Sequence, residues 1–209
     1  MIKYKTVISE GDAEQIIEKS RFIGYVKPVK TREEAETFIV AIKSMHKNAT
    51  HNVPAYIIGD NFELQWASDD GEPSGTSGAP MLHMLINEGI TNVAIVVTRY
   101  FGGVKLGTGG LVRAYTGTAK LVLEKVGVCE FKERIRLKFK LDYPHFGKLQ
   151  NMAASKGFEI KNTEFLDVIH VVLECDAEDS DEVIGSLVEL TGGACNSGNI
   201  EIEKIIGRK

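Results

Sequence analysis

"NVAIVVTRYFGGVKLGTGG", residues 92–110, is the stretch on which the fold turns. Its apolar run from Val93 to Val97 predicts a strand buried on both faces, because a strand with one wet face would alternate apolar and polar residues. Such a strand belongs in the middle of a sheet covered by helices. A glycine-rich loop follows at once, and "LVRAYTGTAKLVLEKVG" then reads as a helix that stops at Gly127. Gly117 inside that helix costs about 1 kcal/mol relative to alanine, which points to close packing there.

Toward the N-terminus, residues 4–30 alternate as strands, with "SRFIGYVKPV" ending at Pro28. Thr31 and Glu34 have capping-box spacing, and Ala35, Phe38, Ile39, Ile42 and Met45 recur on one face, so a helix is predicted over 32–45. "NVPAYIIG" and "FELQWA" read as strands leading into "SDDGEPSGTSGAP", residues 68–80. "PMLHMLINEG" then reads as a short helix closed by Gly89.

After Val128 the texture changes. In "RIRLKFKL" Ile135, Leu137, Phe139 and Leu141 alternate with cations, and Pro144 opens a helix carrying Phe146, Leu149, Met152 and Ala153 on one face. "FEIKNTEF" and "VIHVVLEC" supply two strands, Ser180 is placed as the cap of a helix stopped by Gly192, and "NIEIEKI" closes the sheet. Strand, helix, strand, strand, helix, strand is the ferredoxin-like split βαβ order. The sequence therefore predicts an α+β protein with an N-terminal domain over 1–130 and a ferredoxin-like βαββαβ domain over 131–209.

Composition removes several function classes. The 209 residues are 43% hydrophobic and 26% charged, with a net charge of −4, so no global positive field draws the chain to nucleic acid or anionic lipid. Any such binding needs a local patch. Cys129, Cys175 and Cys195 are too far apart for a zinc knuckle or a disulfide framework. The N-terminal segment lacks the apolar core of a signal peptide, and no run reaches the ~18 apolar residues of a membrane span. A cytoplasmic protein without a membrane partner is the expectation.

More than half of the 21 glycines lie between Gly59 and Gly117, most of them in two loops that join predicted strands to helices. That position excludes a flexible linker. In the second loop Thr108 is placed as the N-cap, Gly109 and Gly110 expose their amides, and Arg99, Lys105, Gly107 and Arg113 lie close by, which makes an anion site. Tight packing of the loop against the sheet is the competing reading. Gly102 and Gly107 have P-loop spacing, but Thr108 and Gly109 follow where Lys and Ser or Thr are required. The dinucleotide fingerprint lacks its last glycine at Val112. No nucleotide cofactor is expected.

The first loop carries Asp69, Asp70 and Glu72, with Ser74, Thr76 and Ser77 behind them. Oxygen ligation of Mg²⁺ and capping of loop amides are both open, although the spacing misses an EF-hand and no metal is assigned. The hydroxyls would need a base, for which His51 and His83 are the candidates. If the loops share one edge of the sheet, Asp69 or Asp70 pairs with Arg99 or Arg113 and rigidifies a backbone-rich concavity. In the second domain Lys132, Arg134, Arg136, Lys138 and Lys140 share one strand face, a candidate RNA surface in which Arg134, Arg136 and Lys138 are the contacts. Glu201 and Glu203 on the last strand are expected to neutralise part of it.

Taken together, "SRFIG", "HNVPAYIIG", "ASDDGEPSGTSGAPML" and "NVAIVVTRYFGGVKLGTGGLVRAY" closely resemble the IMPACT family in its bacterial YigZ-like form, over residues 20–119. Residues 134–204 look like that branch's second domain, which is similar to the C-terminal ferredoxin-like domain of elongation factor G. The resemblance implies a two-layer αβ domain similar to the second domain of ribosomal protein S five, with helices on one face of a mixed sheet. Eukaryotic members regulate translation by competing for a scaffold protein that activates an initiation-factor kinase. They carry a different additional domain that is not expected in this chain, so that mechanism is not carried over. For the bacterial branch the resemblance implies a role at the ribosome or on RNA and brings no catalytic residues. The expected partner is RNA or a ribosome-associated component, with a protein-binding scaffold and an enzyme for a phosphorylated or peptide-like substrate as alternatives.

Overall fold

The computed structural model describes residues 2–196 and 198–208. The chain divides into two compact units, one over residues 4–130 and the other over the described residues from 131 to 208 together with residues 2 and 3.

β1 (Ile2–Val7) enters the first unit at Tyr4, and β2 (Gly11–Ile17) and β3 (Ser20–Pro28) follow it before α1 (Arg32–Met45). β4 (His51–Ile58), β5 (Leu64–Ala67), α2 (Gly78–Asn87), β6 (Val93–Tyr100) and α3 (Gly107–Val126) follow. The sheet order is β2-β3-β6-β4-β5, antiparallel at each of these pairings. β6 lies at the centre, as its apolar run predicts. Val93, Ile95 and Val97 pack with Met81 and Leu85 of α2 and with Leu111, Tyr115 and Ala119 of α3. Ala94 and Val96 point the other way, onto Phe38, Ile39 and Ile42 of α1.

Two details of the resemblance change within the α+β class. Helices cover both faces of this sheet, and its described pairings are antiparallel. The apolar run of β6 carries the physical reason, since neither face of a strand with buried Ala94 and Val96 opposite Ile95 and Val97 can be left to water.

α1 begins where its cap predicts, with Thr31 Oγ1 accepting from the Glu34 amide at 3.2 Å. Glu34 in turn accepts from the Lys30 amide, one residue before the cap. Met45, placed on the inner face by periodicity, is 66% exposed because α1 ends there and the chain turns away.

The second unit runs β7 (Val128–Leu141), α4 (Tyr143–Lys156), β8 (Glu159–Phe165), β9 (Ile169–Asp176), α5 (Ser180–Leu190) and β10 (Glu201–Arg208). Its strand order β10-β7-β9-β8, antiparallel at each pairing, is the ferredoxin-like arrangement. Ile135, Leu137, Phe139 and Leu141 pack with Leu149 of α4 and Val183 and Leu187 of α5. The alternating cations of β7 therefore occupy the face away from the helices. Asp179, not Ser180, is the residue before α5; Ser180 is its first residue and donates its hydroxyl to the Ala177 carbonyl.

Candidate functional site

Residues 68–77 connect β5 to α2, and three carboxylates give that loop its shape. Asp69 folds the loop around itself. Its Oδ2 accepts from the Gly75 amide at 2.7 Å, and its Oδ1 accepts from the Ser77 hydroxyl at 2.6 Å and from the Ser77 and Gly78 amides at 3.1 and 2.9 Å. It thus caps α2, whose adjacent residue Ser77 makes no side-chain cap of its own. A negative charge there also meets the positive end of the helix dipole. Burial pushes the Asp69 carboxyl up, but the Ser77 hydroxyl and the three amides outweigh it and hold the group below the ordinary carboxylate range.

Asp70 sits in the left-handed region with φ 47°, a conformation that aspartate tolerates better than most side chains. It ties the loop to two other elements. One oxygen accepts from Lys43 Nζ of α1 and the other from the Asn52 amide of β4, each at 2.6 Å. Its carbonyl lies 2.9 Å from His51 Nδ1.

Glu72 points inward and is buried. Its Oε1 accepts from Arg99 Nη1 of β6 and from the Tyr115 hydroxyl of α3, each at 2.7 Å, and lies 3.7 Å from His51 Nε2. Arg99 is 4% exposed, with its guanidinium 5.4 Å from the Phe22 ring centre and 5.3 Å from that of Phe101. The two rings add cation–π attraction to the ion pair. Burial and the hydrogen bond to Glu72 push the Tyr115 phenol far above its ordinary range, so it stays a donor.

The predicted cross-loop ion pair exists, but between different residues. Glu72, rather than Asp69 or Asp70, pairs with Arg99, and Arg113 has no acidic partner among the described residues. Arg99 is therefore removed from the candidate anion contacts, because a buried, paired guanidinium cannot reach an external phosphate.

Thr108 is not the cap of α3 either. The helix begins at Gly107 after Leu106, which places Thr108, Gly109 and Gly110 in its first turn. Lys105, Gly107, Thr108, Gly109 and Arg113 are exposed. Lys105, Gly110 and Arg113 line one shallow depression of about 430 Å³ together with Ile17, Glu18 and Leu106. Lys105, like Arg113, has no acidic partner among the described residues. Gly102, in the same loop, approaches the backbone so closely that a Cβ there would collide with the Lys19 carbonyl.

Ser74 is exposed, while Thr76 is buried and donates to the Pro73 carbonyl at 2.6 Å. His83 is exposed on α2, and His51 faces Asp70 and Glu72 rather than a serine. No cluster of three metal-ligating side chains occurs among the described residues, and none of the described helices is long and apolar enough to cross a membrane.

The basic face of the second unit is largely neutralised. Arg134, itself buried, lies 3.4 Å from Glu159, 3.7 Å from Asp176 and 3.9 Å from Glu174. Arg136 pairs with Glu174 at 2.8 Å and Glu203 at 3.4 Å, and Lys138 pairs with Glu201 at 3.0 Å. Glu201 and Glu203 are the partners that strand order predicts. Glu159, Glu174 and Asp176 are additional, and the central place of β7 between β9 and β10 explains why the stripe meets acids on both sides.

The sequence reading missed Tyr115, Lys43 and Asn52. Tyr115 carried a usable signal: a tyrosine on the core face of a helix needs a partner for its hydroxyl.

Comparison with known proteins places these loops. The Impact N-terminal domain matches residues 18–123, and a domain of unknown function matches residues 139–194. IMPACT family member YvyE of Bacillus subtilis is 42% identical over 91% of this chain and 88% of its own length. IMPACT family member YigZ of Escherichia coli is 41% identical over 53% of this chain and 55% of its own. A solved structure described as a hypothetical protein aligns with a TM-score of 0.59 at 26% identity, covering 98% of each chain. With a family domain spanning both signature loops and a relative this similar along nearly the whole chain, the protein belongs to the IMPACT family.

Proposed function

We propose that this protein is a translation-associated factor that binds RNA or a ribosome-associated component through the start of α3. One observation supports this reading above the others. Lys105 and Arg113 are exposed and have no acidic partner among the described residues, and they lie beside the exposed Gly107–Gly109 start of α3, whereas Arg99, Arg134, Arg136 and Lys138 are held by carboxylates. Two such cations beside the amides of a helix's first turn suit phosphate oxygens, and contacts of this kind position a partner without reading its sequence. The link to translation comes from the family resemblance, and a cytoplasmic location goes with it. An enzyme reading needs Asp69, Asp70 or Glu72 as base or metal ligand, and each of these already serves several protein donors.

Binding to ribosomes and to single-stranded RNA, measured at low and raised salt, tests the proposal. The wild type should bind at low salt and weaken steeply as salt rises. Lys105→Ala with Arg113→Ala should lower the slope of log affinity against log salt by roughly 1.4, at about 0.7 per single-strand phosphate contact. No association at low salt, or an unchanged slope in the double variant, would overturn it. Partner capture that survives nuclease treatment would favour the protein-scaffold alternative.

A further inference from the structure

The sheet of the first unit ends at β5, and β5 is built unlike the other strands that end a sheet. β2, β8 and β10 each carry charged side chains, the usual protection against a further strand. β5 carries none, and its Leu64, Gln65 and Trp66 are exposed.

The ladder fixes which groups this edge offers. The Ser68 amide donates to the Pro54 carbonyl at 3.1 Å. Bonded and non-bonded pairs alternate along an antiparallel ladder, so Trp66 and Leu64 bond inward to Tyr56 and Ile58, while Gln65 and Ala67 turn their amides and carbonyls outward. Those groups are a template for one more strand. Beside them, on the face that α1 covers further in, lie Leu64 and Trp66, the latter 42% exposed and stacked on Tyr56 with 5.4 Å between ring centres.

The charge carried by the surrounding chain has one sign. Residues 48–98 contain six acids and neither lysine nor arginine. Lys43, Arg99 and Lys120 reach in from other segments to Asp70, Glu72 and Glu88. Asp69, two residues past β5, accepts only from uncharged groups among the described residues.

We propose that the open edge of β5 takes up an extended, basic polypeptide segment of another protein as a sixth strand of the five-stranded sheet. The backbone of Gln65 and Ala67 supplies the pairing, Leu64 and Trp66 receive alternate apolar side chains of the segment, and its lysines or arginines meet the acidic surroundings. Four residues allow only a few main-chain bonds, so the contact is weak and reversible. No residue at the start of α3 takes part, so the proposal stands or falls separately from RNA binding there.

Trp66 is the chain's single tryptophan, and its emission reads the edge directly. A blocked heptapeptide of alternating valine and lysine, its glutamate counterpart and a version N-methylated along one edge of its backbone, each titrated at low salt, provide the test. The valine–lysine peptide should move the emission to shorter wavelength and saturate. N-methylation should weaken binding about tenfold, as main-chain bonds are lost, and exchange of lysine for glutamate should weaken it by a similar factor. Gln65→Pro should also weaken it about tenfold; proline there removes an outward N–H and no ladder bond, so the variant should fold. The N-methylated peptide decides the matter without any variant. Unchanged emission at millimolar peptide, or equal affinity of the N-methylated peptide, of the glutamate peptide or of Gln65→Pro, would overturn the proposal. Emission that shifts as the protein alone is concentrated, with a dimer in sedimentation, would give the edge to a second copy and overturn it equally.

Discussion

Two ion-pair systems of this protein, one in each unit, differ in depth. In the first unit a single arginine, Arg99, meets a single carboxylate, Glu72, both nearly sealed from solvent, with a tyrosine hydroxyl on the same oxygen. In the second unit five carboxylates spread over β8, β9 and β10 serve four cations of β7, Lys132, Arg134, Arg136 and Lys138, and much of that ladder is wet. Sequence alone presents both as basic patches. Burial separates them, because a buried charge that loses its partner cannot recover water, whereas an exposed one can.

Removing Glu72 should therefore have the largest effect. Glu72→Ala leaves the Arg99 guanidinium buried without its counter-charge and the Tyr115 hydroxyl without an acceptor. The expected loss is about 3–5 kcal/mol in urea unfolding. Added salt should change that loss little, since the pair is shielded from mobile ions. A loss below about 1 kcal/mol would erase the contrast between the two systems.

Tyr115→Phe sharpens the comparison within the buried network. It removes one donor from Glu72 and keeps the ring against Phe22, whose centre lies 5.4 Å away. A hydrogen bond to a charged group contributes about 1.5–3 kcal/mol, so the loss should fall in that range and below that of Glu72→Ala. Because the two residues share one oxygen, the double variant should lose less than the sum of the single losses.

Asp69 tests whether the first loop is a brace. Asp69→Asn keeps one acceptor oxygen but loses the charge that several donors converge on, and should cost about 1–2 kcal/mol near neutral pH, as for a helix cap. Its folded pKa lies below the ordinary carboxylate value, so its contribution is complete above about 4 and is lost as pH falls through the folded value. The gap between wild type and Asp69→Asn, followed by unfolding at several pH values, should shrink on acidification. A gap that widens on acidification would contradict the hydrogen bonding seen around Asp69.

How far the sequence revealed this follows the range of each signal. α1, β6 and the order of the second unit rest on capping and periodicity, which act within a few residues, and those elements appear where the pattern puts them. The double burial of β6 was also legible, and it proved a better guide to the helix layers than the family likeness. The roles within the acidic loop were not legible. Asp69, Asp70 and Glu72 are chemically interchangeable on paper, and only the left-handed turn at Asp70 and Gly71 sends Glu72 inward while Asp69 stays with its own loop. Arg99 and Lys105 likewise look alike until β6 pairs with β4 and sets Arg99 opposite His51. Lys105, beyond the end of that strand, escapes the network and keeps its charge available.

The smallest effect should come from the wet end of the ladder. Lys138 pairs with Glu201 and Glu203, but all three side chains are more than 40% exposed, and water and salt compete for each of them. Lys138→Ala should leave the unfolding midpoint nearly unchanged at low salt and indistinguishable from wild type at high salt, because screening removes what little attraction the exposed pair retains. Glu174, which is buried and serves Arg136 from the next row, provides the internal control. If Lys138→Ala lowered stability as much as Glu174→Ala, the ladder would be acting as one cooperative unit, and depth would no longer explain the difference between the two systems.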